Sequence, residues 1–189
     1  LAGLLGFDKN TVRRIFQIKG WLVKQNVTLA DGSTQEVLVP QVYLHAANLQ
    51  VTGQGTLIAG NDVAFQAAQD IVNSGGTIAG RQSVSLAGNN VQNLGGRISG
   101  NTVVLAAAQD INNLGGTIDA RNTVVATAGR DINSVATTVA TTNAVTSGTN
   151  INQNASISVS EPGGTLTAVA GRDINLKASG TTAKAQIPN

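Results

Sequence analysis

The sequence contains no cysteine and no methionine, a single histidine and three prolines in 189 residues. Without cysteine there is no disulfide scaffold and no thiolate-bound zinc, although many secreted repeat proteins dispense with disulfides, so these absences leave the compartment open. Aromatic residues make up 3% of the chain and charged residues 12%, with a net charge of +2. Charge this sparse argues against a nucleic-acid footprint. The densest basic group, Lys9, Arg13, Arg14, Lys19 and Lys24, reads as the solvated face of a terminal segment. The opening LAGLLGFDKN has neither a basic leader nor a long apolar core, so it is not a signal peptide or a membrane span, and the expectation is a piece of something longer.

What is present is 41% hydrophobic residues, mainly Val, Ile, Leu and Ala, together with 22 glycines. Such a chain can bury a core, so disorder is not the expectation. Small and β-branched side chains suit strands stacked in a narrow interior, where a ring in one layer would collide with the layers on either side.

A repeat governs the reading of every other residue. GGTIAG from Gly75, GGRISG from Gly95 and GGTIDA from Gly115 recur at a spacing of 20, as do Asp70-Ile71, Asn90-Val91 and Asp110-Ile111. The Asx-aliphatic pair returns at Asp131-Ile132, Asn150-Ile151 and Asp173-Ile174, with Asn48-Leu49 as an earlier member. Between the pairs, Val63-x-Phe65-x-Ala67, Val103-x-Leu105-x-Ala107, Val124-x-Ala126-x-Ala128 and Leu166-x-Ala168-x-Ala170 alternate with period two, the signature of a strand with one buried face. The copy at Val84-x-Leu86 is slipped by one residue, which a turn must absorb.

Twenty residues are too few for a βαβ crossover, so each unit is one coil of short strands and tight turns, stacked in parallel register on its neighbours. The expected fold is all-β, a right-handed parallel β-helix of about seven coils, roughly 30 Å long. Its core is expected as columns, one of Ile71, Val91, Ile111, Ile132, Ile151 and Ile174 and another of Ile78, Ile98 and Ile118. Asn73, Asn93 and Asn113 share one position, where stacked amides can bond along the axis. The paired glycines from Gly75, Gly95, Gly115 and Gly163 supply the positive φ of sharp turns. One acid or amide per 20 residues, half of them Asn, reads as turn capping rather than a calcium repeat.

Two stretches leave the period. Residues 1–45 are expected to form an N-terminal cap, with a short helix from Asp8 through Phe16 and a hairpin over Val27–Val39 around Asp31-Gly32. This segment holds Phe7, Phe16, Trp21 and Tyr43, rings suited to plugging an open core end, or to binding a partner. The repeats are expected over 46–180, with an irregular Thr-rich coil at 134–162 and a tail at 181–189. The thresholds of an enzyme are not met. Polysaccharide-acting β-helices need clustered carboxylates and bases, whereas Asp62, Asp119, Arg81, Arg97 and Arg121 are scattered on turns and His45 has no acid-base partner. No catalytic, cofactor-binding or metal-binding residue is assigned.

The elements LVPQVYL, GTLIAG, DINNLGGTIDARNTVVATAGRDIN and GRDINLKAS resemble the haemagglutinin repeats of filamentous haemagglutinin and of CdiA-type exoproteins of two-partner secretion, over roughly residues 37–180. The resemblance implies a non-enzymatic β-helical shaft, exported through an outer-membrane two-partner transporter to the surface of a Gram-negative bacterium. Such shafts serve adhesion or carry a C-terminal toxin in contact-dependent inhibition. The implied partners are the flanking coils, the transporter and a target-cell receptor or glycan, and no nucleic acid. A specific receptor- or glycan-binding module is the alternative reading.

Overall fold

The computed structural model describes residues 19–28, 33–53, 55–142, 146–178 and 182–185. The helix expected near Asp8 and the Asp31-Gly32 turn lie outside these. Among the described residues all regular structure is strand: β1 (Lys19–Thr28), β2 (Thr34–Ala46), β3 (Leu49–Thr52), β4 (Leu57–Ala67), β5 (Asp70–Ser74), β6 (Thr77–Gly88), β7 (Asn90–Leu94), β8 (Arg97–Ala107) and β9 (Ile111–Leu114). There follow β10 (Thr117–Ala128), β11 (Ile132–Val135), β12 (Thr137–Thr142), β13 (Thr146–Gln153), β14 (Ser156–Val159), β15 (Thr165–Ala170), β16 (Ile174–Lys177) and β17 (Thr182–Ala185).

The strands form a β-solenoid. One sheet runs β1-β2-β4-β6-β8-β10-β14, with β15 also pairing β10, and a second runs β16-β11-β9-β7-β5-β3. Apart from β1, which joins β2 antiparallel from Lys19↔Tyr43 to Thr28↔Thr34, every pair in these two sheets is parallel. Each long strand of the first sheet and the short strand after it make one coil. Among the described residues six such coils stack, and the four from β4 to β11 repeat closely. Stacking begins inside the segment expected as cap, because Gln41–Ala46 of β2 already pairs in parallel with Asp62–Ala67 of β4.

Period-two alternation places one side chain per coil in each core column. Ile58, Ile78, Ile98, Ile118 and Ile157 align, as do Val42, Val63, Val84, Val103, Val124 and Leu166. A third column, Leu44, Phe65, Leu86, Leu105, Ala126 and Ala168, contains a ring. Phe65 is 2% exposed between two leucines, so the interior accepts one isolated phenylalanine where rings were expected to collide.

The fourth column corrects an expectation. It runs Leu49, Ile71, Val91, Ile111, Ile132 and then directly Ile174. Ile151 lies outside it, in β13, which pairs antiparallel with β12 and with β17 in a separate three-stranded sheet. The reason lies upstream. Ile174 is preceded by the strand Leu166-x-Ala168-x-Ala170 that stacks on β10, whereas no such alternation precedes Ile151. The expected irregular coil is therefore a lateral wing inserted into a coil, with six coils instead of about seven. The expected tail contributes β17 to that wing.

The one-residue slip also has a visible cause. Between Gly60 and Asp62 lies one residue, between Gly80 and Ser83 two, between Gly100 and Thr102 one, and between Ala120 and Thr123 two, and the ladders shift register there. The extra residues, Arg81-Gln82 and Arg121-Asn122, are exposed at the corner, so the core keeps its columns while the surface absorbs the insertion.

Candidate functional site

The most ordered chemistry of the molecule lies along its corners. At the Asx position, each side-chain Oδ1 accepts the backbone N–H of the equivalent residue one coil later. Asn48 takes Asp70 N–H at 3.4 Å, Asp70 takes Asn90 at 3.2 Å, and Asn90 takes Asp110 at 3.1 Å. Asp110 takes Asp131 at 3.2 Å, and Asp131 takes Asp173 at 3.2 Å. The capping expected from the sequence is thus axial, tying coil to coil.

Where this position is Asp and the next coil places Arg before its own Asx, an ion pair forms over the same corner. Arg130 forks onto both carboxylate oxygens of Asp110, with Nε–Oδ1 at 2.8 Å, and Arg172 forks onto Asp131 with Nε–Oδ1 at 2.9 Å. The guanidinium hydrogen bonds hold both carboxyls below the ordinary aspartate range, against a smaller opposing effect of desolvation. The two carboxylates that could have suggested a calcium ladder are thereby occupied by arginine. Among the described residues no group of three acidic, His or Cys side chains could hold a metal ion.

Inside, a second ladder runs through the core. Asn73 Nδ2 donates to Asn93 Oδ1 at 2.9 Å, Asn93 Nδ2 to Asn113 Oδ1 at 2.8 Å, and Asn113 Nδ2 to Ser134 Oγ at 3.1 Å. The same amides reach Gly76 O and Gly96 O at 3.0 Å, closing the turn. The two glycines of each turn divide the work. Gly95 has φ of 63° and Gly115 of 62°, a conformation an L side chain rarely takes. Gly96 has no such requirement, but a Cβ there would come within 2.3 Å of Asn73 Nδ2 and 2.7 Å of Asn93 Oδ1. The second glycine clears space for the amide ladder, a role the motif alone did not reveal. The ladder starts on a bare atom: Asn73 Oδ1 is buried without a partner, because the preceding coil carries Val51 in that register.

The residues weighed for catalysis are not assembled into one site. Asp62 accepts hydrogen bonds from Ser83 Oγ at 2.7 Å and Asn61 Nδ2 at 2.8 Å. Asp119 pairs with Arg97 at 2.9 Å. The two acids stand in different columns, three coils and so about 14 Å apart along the axis. That exceeds the roughly 5–9.5 Å that separates the paired carboxyls of glycosidases. Arg81 and Arg121 are exposed, and His45 is exposed on β2.

One concavity does gather polar and aromatic groups. A groove of about 640 Å³ on the outer face of β2, β4 and β6 is lined by Tyr43, His45, Gln66 and Ser85, with Ala64 and Ala87 as small neighbours. Tyr43 is exposed and its hydroxyl donates to Gln41 Oε1 at 2.8 Å. Sequence reading placed Tyr43 among possible contact residues but missed its companions, which come from two further coils. The signal was the shared column of Tyr43, Ala64 and Ser85.

No family model, no curated protein and no solved structure matches this chain.

Proposed function

We propose that the chain is a non-enzymatic, structural shaft segment of a large secreted bacterial exoprotein of the haemagglutinin-repeat kind. It displays an adhesive or toxic part of that protein at a distance from the cell surface, after export through a two-partner outer-membrane transporter. The β-solenoid is compatible with this role. The single observation that carries it is the continuity of the axial bonds: an outer Asx ladder and an inner Asn ladder tie the coils into one column, while the turns stay short. The LVPQVYL and AGRDIN elements support the same reading through their resemblance to haemagglutinin repeats.

The reading is tested by excising residues 75–114 from the parent exoprotein. This removes two coils in register, joining Ser74 to Gly115, and shortens the shaft by about 10 Å. A spacer predicts normal folding, export and partner binding, with delivery or adhesion reduced only through length. Complete loss of partner binding by a folded, exported deletion protein would overturn it.

A second reading, a receptor- or glycan-binding module, is favoured by the Tyr43 groove, where an aromatic ring and neutral polar side chains face solvent together. Tyr43→Ala would abolish cell binding under this reading and leave it unchanged under the first.

A further inference from the structure

We propose that the terminal coil, made by β14, β15 and β16, accepts one more coil of the same polypeptide and selects it by an arginine placed directly before its Asx residue. The inference rests on the shaft reading and deepens it by stating what the neighbouring coil must carry.

Three observations converge on this face. The core columns arrive there uncovered: Leu166 is 48% exposed and Ile174 47%, whereas Val124 and Ile132 beneath them are fully buried. A backbone donor also arrives without a partner among the described residues. Val91, Ile111 and Ile132 each donate N–H to the carbonyl of the Asx residue one coil later, namely Asp110, Asp131 and Asp173. Ile174 holds the same position, so its N–H points at the place where the next Asx carbonyl would lie. Finally, the corner carboxylate is free. Asp110 and Asp131 each carry an arginine from the coil above, while Asp173 makes no ion pair among the described residues. An incoming coil with the pattern Arg-Asx-aliphatic satisfies all three at once.

The wing indicates the length of that coil. Val135 of β11 pairs with Lys177 of β16, a step of 42 residues, because β12 and β13 leave the coil as a hairpin. After β16 the chain repeats the excursion, since β17 also pairs antiparallel with β13, on its other side. The outer edge of β17 is then where a second returning strand fits. The occupant is a coil in cis rather than a second copy stacked head to tail. At the opposite end β1 already occupies the edge of β2 antiparallel, and Leu49 and Val51 are buried.

The test joins a copy of residues 165–177, TLTAVAGRDINLK, to the full chain through a flexible Gly/Ser linker, which gives an effective concentration of about millimolar. Hydrogen exchange at the Ile174 amide reads docking. The tether is expected to slow that exchange, and Arg172→Gln within the tethered copy, or Asp173→Asn in the acceptor, is expected to weaken docking about three-fold. Asp173→Arg combined with Asp at the tether's arginine position is expected to restore it. Equal protection by the Arg and Gln tethers would overturn the arginine rule and leave the shaft reading standing. No protection by any tether would remove the acceptor face and weaken the shaft reading with it. Concentration-dependent dimerisation of the untethered chain, blocked by the tether, would assign the face to a second copy instead.

Discussion

The coils from β4 to β11 and the terminal coil place apolar side chains in the same columns, yet they differ in what those side chains contribute. Ile132 is enclosed and Ile174 is half open, although both are the aliphatic member of a Gly-Arg-Asp-Ile-Asn run. The difference is one neighbour. A solenoid coil has no core of its own, so its burial is completed by the coil on each side and its stability is a sum of intrinsic and interface contributions. Identity of sequence therefore does not imply identity of energy here, and position along the stack decides.

That comparison can be broken most forcefully with a charge in the column. Ile111→Asp places an unpaired carboxylate between Val91 and Ile132 and is expected to cost about 3–5 kcal/mol, whereas Ile174→Asp is expected to cost under about 1 kcal/mol. Thermal and urea unfolding followed by circular dichroism would separate them, and equal losses would refute the column assignment. A smaller contrast sits in the amide ladders. Asn93→Ala removes both an acceptor for Asn73 and a donor to Asn113 in a buried setting, with an expected loss of about 1–3 kcal/mol. Asn175 is half-buried in the terminal coil and donates at 2.9 Å to Asn133 of the coil beneath, and Asn175→Ala should cost only about 0.5 kcal/mol. In the opposite direction, Val51→Thr keeps the shape of the side chain and adds a hydroxyl that can donate to the bare Asn73 oxygen. Stability should rise by about 0.5–1.5 kcal/mol.

The smallest effect concerns acid. Asp110 and Asp131 have carboxyl pKa values depressed by their arginines, so their contribution is complete above the ordinary aspartate value of about 4 and fades as pH falls through the lower, folded value. The melting midpoint should therefore fall on acidification below about pH 4, and less steeply in an Asp110→Asn, Asp131→Asn double variant. Because the arginine of each pair is about half exposed, salt should blunt the difference.

Much of the stack was legible because its period is written in several registers at once. Gly75, Gly95 and Gly115, the three buried asparagines and the Asx-aliphatic pairs all point to the same coil, and each is fixed by a contact one coil away. Ile151 shows where that legibility ends. Asn150-Ile151 carries the local signature, but membership of a column depends on the strand eight residues before it, and the Thr-rich wing has no period to announce its path. The Tyr43 groove was hidden for a related reason. Its walls come from one residue in each of several coils, and small side chains such as Ala64 and Ser85 acquire meaning only beside the ring they make room for. The second glycine of each turn was likewise read as a turn-former, because sequence shows a dipeptide and not the amide lying against it.

The inner ladder has a further consequence, which follows from its polarity. Asn73, Asn93 and Asn113 all donate towards the C-terminal end, and Asn93 and Asn113 accept from the N-terminal side, so the local dipoles add instead of cancelling. Bonds aligned in this way polarise one another, so each added amide strengthens those already laid. The stack is in this sense vectorial. A coil laid on its C-terminal end in reverse would bring an amide N–H to an amide N–H on this ladder, and the order of synthesis, from N- to C-terminus, is the order in which each coil's amide oxygen finds its donor already in place.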